Sequence, residues 1–322
     1  MCENRAPDVT LAELVRGYLD SQVRRGISPK YQALQNRLLS RFVEFLRGRA
    51  RRQPIQLRPL DLAAFAEWAS EQASPKKRRR GLSLHPMTVA RWIRIVRRFC
   101  RWLVREEHLL LDPTVGLVPP RWVRSLPRVL TREETDRLLS APAGDDCVDL
   151  RDRAILEVLY SSGLRASELV GLDVSDLDLT AGEVVIRCGK GGRARRVPVG
   201  PAAVRAVVAY LKKARESLLT GWRMREPQAL FLSRHGSRLK TGRLLEIVHR
   251  RAHQAGLSPG VSPHSLRHTA AVDLLRGGAD VRHVQELLGH VCVDTTTIYT
   301  RLVSADLRWT LDHAHPRARM KV

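Results

Sequence analysis

The 322-residue chain contains no apolar run of about 18 residues, the length needed to span a bilayer. Its first residues, MCENRAPDVT, lack the apolar stretch of a secretory leader. Cysteine is scarce: Cys2, Cys100, Cys147, Cys188 and Cys292 are scattered, and none forms a CxxC pair. That argues against a disulfide framework or a thiolate zinc site and fits a reducing, cytoplasmic setting. Acid is short as well, with 33 Asp and Glu against 56 Lys and Arg, a formal net charge of +23. An excess of this size repels itself in a compact chain and draws polyanions, which makes nucleic acid the expected partner. Hydrophobic residues, at 43%, are enough for packed cores and too many for a disordered chain.

The first 111 residues read as helices alone. Leu11, Leu14, Val15, Tyr18 and Leu19 keep helical spacing, as do Leu34, Leu38, Phe42, Phe45 and Leu46. A third helix is expected from Pro59, at a favoured first-turn position, to about Ala73. The segment SPKKRRRGLSLHP then breaks the pattern, and its Lys76, Lys77 and Arg78 are candidate phosphate contacts. A fourth helix is expected over about 87–107. Val89, Trp92, Ile93, Val96, Phe99, Cys100, Leu103 and Val104 form its apolar face, and Arg91, Arg94, Arg98, Arg101 and Arg105 recur at spacings of three and four on the other. A solvated face usually mixes Glu with Lys; arginines with no acid in their stripe repel one another until an anion neutralises them.

Residues 112–127 carry Pro113, Pro119, Pro120 and Pro127 and read as a linker between domains. Beyond it, residues 128–322 are mixed. Thr131 with Glu134 forms a capping-box pattern, and helices are expected over about 149–160, 201–219, 240–255, 264–276, 280–288, 294–302 and 304–313. GEVVIRCGKGGRARRVPVG has strand composition on both sides of a Gly-rich turn, a hairpin signature. The expected class is mainly α, with a small antiparallel sheet in the second domain.

Five segments carry the chemistry: SSGLRASELVGL (Arg165, Glu168), CGKGGRARRVP (Lys190), PHSLRHTAAVDLLRGG (His264, Arg267, His268), ELLGH (His290) and DTTTIYTRL (Tyr299). Cutting a phosphodiester requires a nucleophile, charge stabilisation on the non-bridging oxygens and a proton for the leaving oxygen. Arginine's planar, permanently charged fork suits the second task. A tyrosine hydroxyl, with a pKa of about 10, needs a neighbouring base or cation. Lysine or histidine can protonate the leaving oxygen. His264 and His268, like His249 and His253, stand four apart, a zinc-like spacing, but no thiolate or intervening Glu completes a metal site.

In order and context these segments resemble the signature of the tyrosine recombinase (phage integrase) family, and the tail AHPRA is similar to that of its Xer branch. The resemblance implies a four-helix, SAM-like core-binding domain over 1–111 and a catalytic domain over 128–322 with the DNA breaking-rejoining fold. It implies that Arg165 and Arg267 bind the scissile phosphate and that Tyr299 attacks it to leave a 3′-phosphotyrosyl bond. Lys190 would be the acid for the 5′-oxygen, His264 a base or proton relay, and His290 a hydrogen-bond donor to a non-bridging oxygen. Glu168 would orient these groups, His268 would be a buried histidine that either packs or supports them, and Arg193, Arg195 and Arg196 would touch the DNA backbone. No cofactor or metal is expected. The implied partners are double-stranded DNA and further copies of the chain, or a paralogue, as a tetramer on two sites. A type IB topoisomerase shares nearly the same catalytic set, and a non-catalytic DNA-binding relative would keep only the clamp. Ser265 departs from the family's usual residues at its position.

Overall fold

The computed structural model describes residues 9–72, 83–120, 127–187, 194–220 and 226–289. The chain divides near residue 124 into two compact units.

The first unit is built on four α-helices among the described residues: α1 (Leu11–Arg24), α2 (Pro29–Gly48), α3 (Pro59–Glu71) and α4 (Pro86–Arg105). Proline opens α2, α3 and α4, where its missing N–H costs no intrahelical bond. Thr10 starts α1 through a reciprocal capping box with Glu13. The apolar faces enclose an aromatic core. Phe42 and Phe65 meet edge-on at 4.9 Å, Tyr18 contacts Phe99 and Trp102, and all but Trp102 are almost wholly buried. On α4 the expected apolar residues are buried except Val104, which is half-buried near the helix end; Ala90, Ile95 and Trp102 join them, and the five arginines of the opposite stripe are exposed.

The second unit carries α5 (Arg132–Ser140), α6 (Cys147–Ser162), α7 (Ala166–Gly171), β1 (Leu177–Asp178), β2 (Glu183–Ile186), β3 (Arg195–Pro198), α8 (Pro201–Lys213), α9 (Arg215–Leu219), α10 (Thr241–Gln254), α11 (Pro263–Arg276) and α12 (Val281–Leu288). The strands form an antiparallel sheet in chain order, with Val184 opposite Val197 and Ile186 opposite Arg195. Helix α6 is the hub: it packs on α8 and α11, and its Ala154, Ile155, Val158 and Leu159 are buried in the unit's core. Burying a side chain the size of Ile, Val or Leu contributes roughly 1.5–3 kcal/mol, so this helix is a main source of the unit's cohesion.

Three features depart from the sequence expectation. Residues 201–219 are two helices rather than one, because the backbone leaves helical geometry at Ala214 (φ −124°, ψ −38°). Past the break, Arg215 donates to the carbonyls of Ala229 and Pro227, contacts that lie far along the chain. Helix α7 has only six residues, too few for a period to show, and β1 has two. The helices expected over 294–302 and 304–313 lie outside the described residues.

Candidate active site

The site is assembled at the carboxyl end of α6. Gly163 caps that helix in the left-handed region (φ +58°), a conformation that costs an L side chain about 1–2 kcal/mol. A Cβ there would come within 2.7 Å of the buried Leu288 Cδ2. Glycine therefore serves both the turn and the close approach of α12. The chain reverses, buries Leu164, and presents Arg165 at the start of α7.

Arg165 and Arg267 converge. The Arg165 Nη2 donates to the Gly289 carbonyl at 2.8 Å, and the Arg267 Nη2 donates to the neighbouring Leu288 carbonyl at 2.7 Å. The Arg267 Nη1 also donates to the Gly163 carbonyl. The two cations thus grip successive carbonyls at the carboxyl end of α12, and one of them also holds the end of α6. Carbonyls at helix ends lack intrahelical donors and carry the negative end of the helix dipole, so guanidinium groups satisfy both demands. Arg267 is 2% exposed and Arg165 is half-buried at the surface of the site.

Glu168, one turn into α7, is buried and accepts four bonds. Arg165 gives its backbone N–H (3.0 Å) and its Nη1 (2.7 Å). Arg195, the first residue of β3, gives Nη1 (3.1 Å) and Nη2 (3.0 Å) to the two carboxylate oxygens. Burial alone would push the Glu168 carboxyl up, but the bonds from Arg195 and Arg165 outweigh it and hold the group below the usual carboxylate range.

His264 stands in the first turn of α11, three residues before Arg267 and on the same face. Partial desolvation of its ring, and then the positive fields of Arg267 and of Arg165, lower its pKa below 6.5. That both arginines act on one imidazole is a second sign that the three groups share a site. The imidazole is exposed, and its ring meets His268 edge-on with centroids 4.3 Å apart. His268 is half-buried rather than buried as expected: its Nδ1 is shut off from solvent, but the residue as a whole retains exposed surface in the first turns of α11. Among the described residues no cluster of His, Cys, Asp and Glu could hold a metal ion.

Lys190, His290 and Tyr299 lie outside the described residues, as do Lys76, Lys77, Arg78 and Arg193. Of the other expected DNA contacts, Arg91, Arg94, Arg98, Arg101, Arg105 and Arg196 are exposed. The stripe on α4 is not free of acid in space: Arg101 lies 3.5 Å from Asp112 and Arg105 lies 3.0 Å from Glu106. These acids stand beyond the helix, where a helical period does not look. Arg196 pairs with Glu183 across the hairpin. Arg195, grouped with it in the sequence reading, turns its guanidinium inward onto Glu168.

Sequence reasoning passed over Gly163 and Gly289, and noted Ser265 only as a departure from the family without giving it a role. The glycines sit in the quoted GLR and LGH motifs, and their left-handed caps were the available signal. Ser265 is buried and exchanges hydrogen bonds with Ser262, each hydroxyl accepting the other's backbone N–H, which fixes the start of α11.

The chain is similar to known proteins over most of its length. The model of the phage integrase family matches residues 128–305. The tyrosine recombinase XerD of Mycobacterium tuberculosis (strain ATCC 25618 / H37Rv) is 41% identical over 315 residues, covering 96% of this chain and 99% of its own. The crystal structure of XerA recombinase aligns with a TM-score of 0.52 at 26% identity, over 95% of this chain and 99% of that one. A lambda integrase dimer bound to a COC′ core site aligns at 0.67 and 17% identity, over 90% and 77%, a likeness of fold. The mainly helical build with one small antiparallel sheet is the fold of these enzymes. The chain belongs to the phage integrase family and is a site-specific tyrosine recombinase of the Xer type, an enzyme that cleaves and rejoins DNA.

Proposed function

We propose that Arg165 and Arg267 clamp the scissile phosphodiester and that Tyr299 attacks its phosphorus. The carrying observation is the convergence of both guanidinium groups on the Leu288 and Gly289 carbonyls, with His264 inside the field of both. Fixed cations around one point stabilise charge that grows on the non-bridging oxygens without reorganising during the reaction. The phenol oxygen of Tyr299 forms the new bond to phosphorus as the bond to the 5′-oxygen breaks. The phenol proton passes to a base, for which His264 is suited because its lowered pKa keeps the ring neutral near pH 7. Lys190 supplies a proton to the departing 5′-oxygen, and His290 donates to a non-bridging oxygen. The 3′-phosphotyrosyl ester conserves the bond energy, so a 5′-hydroxyl from another duplex reverses the attack and completes exchange with no nucleotide cofactor.

The residues of the first unit that face DNA are the arginines of α4, together with the basic run at Lys76, Lys77 and Arg78. Since four strands are cut, the working assembly is a tetramer on two duplex sites, built from this chain alone or with a paralogue. The setting is the cytoplasm; among the described residues no helix is long and apolar enough to cross a membrane. The task is resolution of chromosome or plasmid dimers, or integration and excision of a mobile element.

A nicked suicide duplex tests the chemistry. Covalent protein–DNA adduct is expected with the wild type and none with Tyr299→Phe, and Arg267→Lys is expected to slow its formation by about 10²–10³. Adduct formation that survives Tyr299→Phe would place the nucleophile elsewhere. Sequencing the DNA recovered on Tyr299 identifies the target and separates the two tasks.

A further inference from the structure

We propose that Arg195 is a positioning residue for strand cleavage, tying the root of the β2–β3 hairpin to the phosphate clamp rather than contacting DNA. The proposal rests on the clamp role given above to Arg165. Arg165 has two partners that fix its side chain, the Glu168 carboxylate and the Gly289 carbonyl. Arg195 binds the first and packs beside the residue that offers the second. Its two terminal nitrogens bind the two oxygens of Glu168. Its flat face lies against Gly289, where a Cβ would come within 3.0 Å of Cζ and 3.1 Å of Nε. The contacts close a ring from Arg165 to Glu168 to Arg195 to Gly289 and back to Arg165.

The chemistry of each member supports this use. Glu168 is buried, and a buried carboxylate with one cation in reach would be free to pivot between oxygens; a bidentate fork on the opposite side prevents that. The Nε of Arg195 is shut off from solvent and has no partner among the described residues. Its side chain is 18% exposed, against 69% for the neighbouring Arg196. A phosphate contact would require the reverse. Gly289 has φ +60°, so the absence of a side chain there permits both the left-handed cap of α12 and the approach of the guanidinium. Arg195 also pairs with Ile186 at the base of the hairpin. A shift of that base therefore moves Glu168 and Gly289, and through them the guanidinium of Arg165.

Lysine at this position keeps the charge but loses the planar fork and the flat face. Arg195→Gln and Arg195→Lys are compared with wild type in the full chain on the nicked duplex recovered from the adduct. Measurements are the single-turnover cleavage rate at saturating DNA, the DNA affinity as a function of salt, and thermal melting. Both variants are expected to cleave about 10- to 100-fold more slowly at saturation, since small misplacement of a catalytic group costs on this order. Affinity should stay within about threefold of wild type with the same salt slope, as no phosphate contact is lost. Glu168→Gln combined with Arg195→Gln is expected to be no slower than the worse single variant, because the two act through one ring.

A weakened affinity with a salt slope smaller by about one, and wild-type cleavage at saturation, would instead make Arg195 a phosphate contact. Wild-type cleavage and affinity together would deny it either role. If Arg195→Gln melts below the assay temperature, Arg195→Lys decides alone. Arg165→Ala is run in parallel: undiminished cleavage there overturns the clamp itself, whereas loss of cleavage with unaffected Arg195 variants overturns only the present proposal.

Discussion

At the scale of single residues, the site is held by backbone carbonyls that glycine makes reachable. Gly163 offers its carbonyl to Arg267 from a left-handed cap and leaves room for Leu288. In Gly163→Ala the methyl group meets both the strained φ and a side chain with no space to retreat, as Leu288 is fully buried. The variant is expected to lose about 1–3 kcal/mol in urea unfolding and to cleave more slowly at saturating DNA. Unchanged stability would mean that the α6–α12 contact yields easily. His264 supplies a second residue-scale expectation. Its pKa is lowered by desolvation and by Arg267 and Arg165, so the folded protein resists protonating it. Between that lowered value and the unfolded value of about 6.5 the unfolded chain binds more protons, and His264's contribution to stability is lost as pH falls through this window. In NMR titration the His264 ring of the DNA-free protein should protonate below pH 6.5. Its midpoint should rise once a DNA phosphate offsets the two guanidinium charges. A midpoint that DNA leaves unmoved would place the phosphate away from His264.

At the scale of elements, α6 works as a strut whose two ends do different things. Its carboxyl end delivers Gly163 and Arg165 to the site. Its amino end is clasped to α10 by buried charge: Asp152, fully buried, accepts from Arg151 (2.8 Å), Arg250 (2.7 Å) and Arg251 (2.7 Å), and Arg251 reaches Asp149 as well. Asp152→Asn keeps the shape but removes the charge on which three guanidiniums depend. A loss of about 3–5 kcal/mol is expected, because the stranded cations are costly. That corresponds to a fall in melting temperature of roughly 10 °C. A melting temperature within a degree or two of wild type would show that solvent or Asp149 neutralises the cluster. None of this clasp was legible in the sequence, since Asp152 and Arg251 are 99 positions apart and charge carries no period that links them. Helices with a sustained apolar face were legible: α3 and α4 fall within about two residues of expectation. The six-residue α7 and the break at Ala214 were not, as both are decided by what they pack against. The members of the site were named by motif, but their wiring was not. Arg195 and Arg196 are adjacent and alike in sequence, and only the alternation of a strand sends one inward to Glu168 and the other to the surface.

At the scale of the whole molecule, a net charge of +23 sets how the protein meets DNA, and the stripe on α4 is where that charge is displayed most regularly. Each phosphate neutralised by a cation releases counterions, so the logarithm of affinity falls with the logarithm of salt by about 0.9 per contact. The five arginines are not equivalent, though their spacing makes them look so. Arg101 and Arg105 already face Asp112 and Glu106, and engaging DNA would first loosen those pairs. Such exposed pairs are worth at most about 1 kcal/mol, which tilts the balance without forbidding contact. Arg91 and Arg94 have no acidic partner among the described residues, and Arg98 donates to the hydroxyl of Tyr31. Replacing Arg91 or Arg94 with Ala in the full chain should therefore lower the salt slope by close to 0.9, and Arg101→Ala or Arg105→Ala by less. Saturated cleavage should stay at wild-type rate in all four, because contacts of this kind set affinity and register without reaching the reacting phosphorus. Equal slopes for all four variants would show that the acids let go at no cost. A slope unchanged by Arg91→Ala and Arg94→Ala would remove this face of α4 from the DNA interface.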